Sequence, residues 1–155
     1  MAKQQLAPDF KEFLALLNSA SVEYLIVGGY AVASHGYPRP TGDLDIWVAV
    51  HPDTATRLAK VCHAFGFQAA TPEVFGEPGK VIRMGNPPVR IEIVTGISGV
   101  SFEECIPRAV SATLDGVPVK IIALADLIAN KKAAGRHKDL SDIEALERAR
   151  RQPPS

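Results

Sequence analysis

Asp43 and Asp45 stand one residue apart in an apolar run, DLDIWV. Side chains two apart in a β-strand leave the same face, so both carboxylates are expected on one side while Leu44, Ile46 and Val48 leave the other. Two carboxylates held side by side repel each other, and hard oxygen donors of this kind suit Mg²⁺ or Mn²⁺. Upstream, residues 24–27 form an apolar run that ends in Gly28-Gly29, a pair that lets the backbone turn tightly before a helix expected to begin near Tyr30. Unpaired N–H groups at a helix start favour an anion such as phosphate, although a plain turn explains a Gly-Gly pair equally simply. Arg39 and Thr41, in a loop punctuated by Gly36, Pro38, Pro40 and Gly42, come directly ahead of the Asp43 strand. Arg39 reads evenly as a phosphate contact or as a surface arginine.

Glu92 is isolated in VRIEIV, where Val89, Ile91 and Ile93 point one way and Arg90, Glu92 and Val94 the other. An ion pair with Arg90 does not account for such an acid, because a buried pair gains little against its desolvation cost. The late run KKAAGRHKDLSD adds Lys131, Lys132, Arg136 and Lys138 with Asp139 and Asp142. These cations suit a solvated helix end as well as they suit phosphate. The two acids, three apart on one helix face, suit helix capping as well as a site. Phosphoryl and nucleotidyl transfer require such a set. Divalent cations held by three carboxylates polarise the α-phosphate, make the attacking hydroxyl acidic and stabilise the departing pyrophosphate, while glycines and cationic side chains hold the triphosphate.

The elements that must position these residues follow from hydrophobic spacing. Residues 8–20 place Phe10, Phe13, Leu14 and Leu17 on one face of an amphipathic helix. Residues 52–65 form a second helix, opened by Pro52 with Asp53 and Thr54 in its first turn and burying Leu58, Val61, Cys62 and Phe65, which suits a crossover back into the same sheet. His63 lies off that stripe and reads as solvated. Residues 66–78 form a loop with a short irregular strand around Gln68. Hairpins are expected at 81–94, across Gly85-Asn86-Pro87-Pro88, and at 112–121, across Asp115-Gly116, a good type I′ pair. A short helix is expected within 101–107. Helices over 123–134, stopped by Gly135, and 138–150, with Leu140, Ile143 and Leu146 inward, close the chain before a frayed tail at 150–155. The expected fold is therefore α+β, a mixed sheet of about four to six strands flanked by helices, in a single domain over 1–155 with its core at about 22–147.

The chain's 155 residues suffice for one compact core, and 46% hydrophobic with 22% charged residues is ordinary for a globular protein. Zero formal net charge excludes a global basic field for nucleic acid, so any such role rests on a local patch such as 131–138. Cys62 and Cys105 are far apart without CxxC spacing, and no apolar targeting run precedes them; reduced thiols in a cytoplasmic, non-membrane protein are expected.

The ordered set of motifs resembles the nucleotidyltransferase superfamily of the DNA polymerase β type and, within it, minimal bacterial proteins related to the AbiEii-type toxin nucleotidyltransferases. GGYAVASHGYPRPTGDLDIWV resembles the family's first motif and assigns it Gly28, Gly29, Asp43 and Asp45. VRIEIVTGISG resembles the strand bearing the third carboxylate, here Glu92, and DLIANKKAAGRHKDLSDIEAL the C-terminal motif, matching Lys131, Lys138, Asp139 and Asp142. The resemblance implies a nucleotidyltransferase fold and transfer of a nucleoside monophosphate from an NTP such as ATP to a hydroxyl of a protein, RNA or small molecule. Asp43, Asp45 and Glu92 would be catalytic and metal-binding, and Gly28, Gly29, Arg39, Thr41, Lys131, Lys138, Asp139 and Asp142 nucleotide-binding. The alternative it implies is a catalytically weak binding module in a toxin–antitoxin pair. The large helical substrate domain of many relatives has no counterpart in the sequence.

Overall fold

The computed structural model describes residues 6–38 and 42–152. Six strands make one mixed sheet: β1 (Leu25–Val27), β2 (Asp43–Trp47), β3 (Val81–Asn86), β4 (Val89–Val94), β5 (Val110–Leu114) and β6 (Val117–Ile121), in the spatial order β3-β4-β2-β1-β6-β5. β1 runs parallel to β6 and β2 parallel to β4, while the other neighbours are antiparallel. The α+β architecture and the mixed sheet expected from sequence are both present.

Helix α1 (Pro8–Ser19) starts on a proline with Asp9 in its first turn, and Phe10, Phe13, Leu14 and Leu17 are all buried. α1 packs on β4 and β6 and against α3 (Pro52–Ala64), where the rings of Phe13 and Phe65 meet edge to face at 5.2 Å. His51 Nδ1 accepts the Asp53 N–H at 3.2 Å and caps the start of α3. That helix is the crossover that lets β2 and β4 lie parallel. Leu44, Ile46, Ile91 and Ile93, from the apolar faces of those two strands, are buried in the main core with Cys62 of α3. Such burial is worth about 2 kcal/mol or more per large side chain.

The tight connections use the residues expected of them. Asp115 (φ 49°) and Gly116 (φ 81°) both take the left-handed region that a type I′ hairpin turn requires. Helix α4 is short (Phe102–Cys105), and α5 (Leu124–Ala134) ends on Gly135 at φ 64° before α6 (His137–Arg151). Among the described residues no helix is long and apolar enough to cross a membrane.

Three sequence expectations are corrected. The strand around Gln68 does not form; residues 65–66 and 68–69 are turns, the Gln68 amide donates to the His63 carbonyl at 3.2 Å, and the segment serves to close off α3. The helix after β1, α2 (Gly28–Ser34), begins at Gly28 rather than near Tyr30, because Gly28 itself adopts the φ of +68° that redirects the chain. Leu140 is not inward but 60% exposed. The inward stripe of α6 runs Asp139, Asp142, Leu146 with Ile143 half-buried beside it, and Leu140 lies one residue, about 100° of helix, off that line. Polar demand from α5 sets the rotation of α6, and hydrophobic spacing alone does not reveal it.

Candidate functional site

The acids are positioned by strand register. In the parallel pair β2–β4, Asp45 sits opposite Glu92 and Asp43 opposite Arg90, and in the antiparallel pair β3–β4, Arg83 sits opposite Glu92. Register alone therefore brings Asp45, Glu92 and Arg83 into one row across three strands, with Asp43 and Arg90 in the next. As expected from the period-two pattern, Leu44 and Ile46 leave the opposite face and are fully buried.

This charged face forms the floor of a cleft of about 740 Å³. Asp43, Asp45 and Glu92 line it, as do Gly28 and Gly29 from the start of α2 and Lys131, Lys138 and Asp142 from α5 and α6. Segments more than a hundred residues apart in the chain, 28–29 and 131–142, thus meet at one opening. Arg39 and Thr41 lie outside the described residues. Asp139 does not reach the opening. It is fully buried behind Lys131.

Gly28 shows why the turn must be glycine. A Cβ there would collide with Asp45 Oδ2 and come within 2.8 Å of its Cγ, besides facing the positive φ. The carboxylate of Asp45 therefore rests directly on the backbone of the glycine turn, which joins the two halves of the first motif.

The acids carry more negative charge than their surroundings neutralise. Burial, the hydrogen bond with Glu92 and the charges of Glu92 and Asp43 push the Asp45 carboxyl up to about 7, against the pull of the Lys138 ammonium. Asp43 is held by Arg90, whose Nη2 donates to Oδ2 at 2.9 Å, and the same nitrogen lies 3.4 Å from Glu92 Oε1. Arg83 Nε donates to Glu92 Oε1 at 3.0 Å from the exposed side. Three hard oxygen ligands with surplus negative charge are a donor set that fits a divalent cation. In this arrangement Asp45 and Glu92 are paired and Asp43 is drawn to Arg90. Among the described residues no three acidic, histidine or cysteine side chains are already gathered around one point as a ligand shell.

The opposite wall comes from α5 and α6. Lys131 is only 5% exposed, not the solvated helix end that its place in a basic run suggested. Its Nζ lies 3.2 Å from Asp139 Oδ1 and 3.0 Å from Asp142 Oδ2. Arg136 Nε donates to Asp139 Oδ2 at 2.9 Å, and that oxygen also accepts the Arg136 backbone N–H at 3.2 Å, capping α6. Burial alone would push the Asp139 carboxyl up, but the hydrogen bonds from Arg136 and Lys131 outweigh it and hold it below the usual carboxylate range.

Arg90 and Arg83 were not read as site residues. For Arg90 the signal was present, because the alternation that isolates Glu92 puts Arg90 on the same face. For Arg83 it was absent, since the role depends on the register of β3 against β4.

The family described as "Nucleotidyl transferase of unknown function (DUF2204)" matches residues 7–153, nearly the whole chain. Comparison with curated proteins returns no match. Among solved structures, the crystal structure of an antigenic nucleotidyltransferase-like protein from Paracoccidioides brasiliensis is similar, with a TM-score of 0.52 and 19% identity over 91% of this chain and 77% of that one. That likeness shows the fold. With the family match over residues 7–153, the chain belongs to this nucleotidyl transferase family.

Proposed function

We propose that the cleft performs metal-dependent transfer of a nucleoside monophosphate from an NTP to a hydroxyl on a protein, RNA or small-molecule acceptor. The observation that carries this reading is convergence: the glycine turn, three carboxylates and two lysines, spread over residues 28–142, line one opening. Asp43, Asp45 and Glu92 would hold Mg²⁺ or Mn²⁺, which when bound supplies a Lewis acid for the phosphates and lowers the pKa of the acceptor hydroxyl. The chain's own groups account for the rest. Glu92, at the rim between β4 and β3, accepts the hydroxyl proton on its carboxylate as the acceptor oxygen bonds to the α-phosphorus. The α–β phosphoanhydride breaks and pyrophosphate leaves toward Lys131 and Lys138, whose charges stabilise it. The start of α2 at Gly28-Gly29 faces the phosphates with backbone N–H groups. Asp139, and Asp142 with it, hold Lys131 oriented beneath them.

Incubation with each labelled NTP, Mn²⁺ or Mg²⁺ and a cell extract tests this reading. A labelled macromolecule or released pyrophosphate is expected with the parent chain and not with Asp43→Ala/Asp45→Ala. Equal transfer by both would sink the assignment.

A second reading, a catalytically weak binding module such as one half of a toxin–antitoxin pair, draws on one observation: Asp43 is tied to Arg90 instead of standing with Asp45 and Glu92. Calorimetry with Mg²⁺ and a non-hydrolysable ATP analogue separates the two, since metal-dependent nucleotide binding favours the enzyme and its absence favours the module.

A further inference from the structure

Arg90 is placed where a metal's charge would be needed. Its guanidinium is the cation that faces both Asp43, at 2.9 Å, and Glu92, at 3.4 Å, and it reaches both through the single nitrogen Nη2. Strand register fixes the arrangement, since Arg90 sits opposite Asp43 on β2 and two residues from Glu92 along its own strand. The rest of the head group is loosely held. Arg90 Nε is cut off from solvent and has no hydrogen-bond partner among the described residues. A guanidinium with five donors that leaves a buried one unused is held by charge more than by a fitted nest of acceptors. Nη2 thus occupies the point between Asp43 and Glu92 that a shared ligand would take, and among the described residues no trio of acids is gathered there as a ligand shell.

We propose that Arg90 is a resident counter-cation that competes with the divalent ion for Asp43 and Glu92, so that loading the site requires the guanidinium to swing away from both carboxylates. The inference rests on the metal-dependent reading above. It makes Arg90 a positioning residue that sets how much divalent ion the site needs. With Arg90 in place the acids are partly neutralised in the metal-free protein, at the cost of a weaker metal affinity. Arg83 plays a smaller part, because among the described residues it pairs with Glu92 and not with Asp43, and its side chain is 57% exposed.

The test is direct Mn²⁺ binding to the full chain without nucleotide, by calorimetry or by the loss of the free-ion electron paramagnetic resonance signal. Arg90→Gln is expected to bind Mn²⁺ about tenfold tighter than the parent chain, because a competing unit charge has left two ligands. Arg90→Lys keeps the charge but not the length that carries Nη2 between the two acids, and is expected to bind roughly two- to fivefold tighter. If Arg90→Gln fails to fold, judged by its circular dichroism, Arg90→Lys carries the test alone. Lys138→Gln controls for the general field, since Lys138 acts on Asp45 through its charge, and it is expected to change affinity by less than about threefold. Unchanged or weaker binding by both Arg90 variants would overturn the competition while leaving the metal site standing. Equal tightening by Arg90→Gln and Lys138→Gln would overturn it too, as a field effect. No Mn²⁺ binding by any of these proteins would overturn both the competition and the metal-dependent function.

Discussion

The two walls of the cleft are both charged, but only one is closed into a balanced, buried network. On the helix wall, Lys131 and Arg136 meet Asp139 and Asp142 in a network matched cation for anion, with Lys131 and both acids buried, while Lys138 stands outside it and faces Asp45. On the sheet wall, Asp43, Asp45 and Glu92 meet Arg90 and Arg83, with Lys138 acting from across the cleft, and burial first, then the neighbouring Glu92 and Asp43, push the Asp45 carboxyl up to about 7. A buried, satisfied network holds structure together. An unsatisfied one stores a demand for a ligand, at a cost to the empty fold. On the reading proposed above, the helix wall keeps its geometry and the sheet wall receives the metal.

The largest effect should fall on the sheet wall's chemistry. Asp45→Ala is expected to lower NTP-dependent transfer by roughly 10³-fold or more, measured as pyrophosphate release, with little loss of fold. On the helix wall the loss should instead be structural. Lys131→Met removes the buried cation that Asp139 and Asp142 share, leaving Asp139 with Arg136, and should destabilise the protein by about 3 kcal/mol in urea unfolding. If that variant were as stable as the parent chain, the balanced wall would not be the scaffold described above.

The walls should also respond oppositely to neutralisation. Asp45→Asn removes the overloaded charge and should stabilise the metal-free protein at pH 8, on the order of 2 kcal/mol, while abolishing the stabilisation that Mn²⁺ confers on the parent. The pH dependence follows from the same shift. Between about pH 4 and 7 the folded protein holds a proton on Asp45 that the unfolded chain has released, so this residue's contribution to stability falls as pH rises through that window. Asp139 behaves in the reverse sense. Its carboxyl is held below the usual range, so its contribution is present at neutral pH and is lost as the pH drops through its lowered pKa. Thermal melts of the parent and Asp45→Asn from pH 4 to 8, without metal, should diverge steadily with rising pH. Parallel curves would remove the asymmetry. Leu140→Ser sets the lower bound: 60% exposed and off the inward stripe of α6, it should change stability by less than about 0.5 kcal/mol.

Sequence patterns carried much of this site because its key parts are local. A period-two strand puts Asp43 and Asp45 on one face whatever the rest of the chain does, and the same alternation isolates Glu92. The strands of a mixed sheet, expected to number about four to six, its two hairpins and the stop at Gly135 were legible for the same reason, while the strand order was not. The burial of Lys131 and the exposure of Leu140 were not legible, because the rotation of α6 is decided by two buried aspartates seeking a lysine on another helix, and a hydrophobic periodicity gives such a stripe no weight. Arg83 was out of reach because its partner is set by hairpin register.

That register carries a consequence for how the protein assembles. Asp45 and Glu92 become neighbours only when β2 and β4, separated by helix α3 and the β3 hairpin arm, zip together in one alignment. A slip of a single residue would turn Glu92 toward the oily side of the sheet and Ile91 or Ile93 toward the opening. Misaligned chains would then be unable to display the acidic floor at all. Affinity for a hard cation should accordingly appear late in refolding, together with the finished sheet, and serve as a proofreading signal for correct strand alignment.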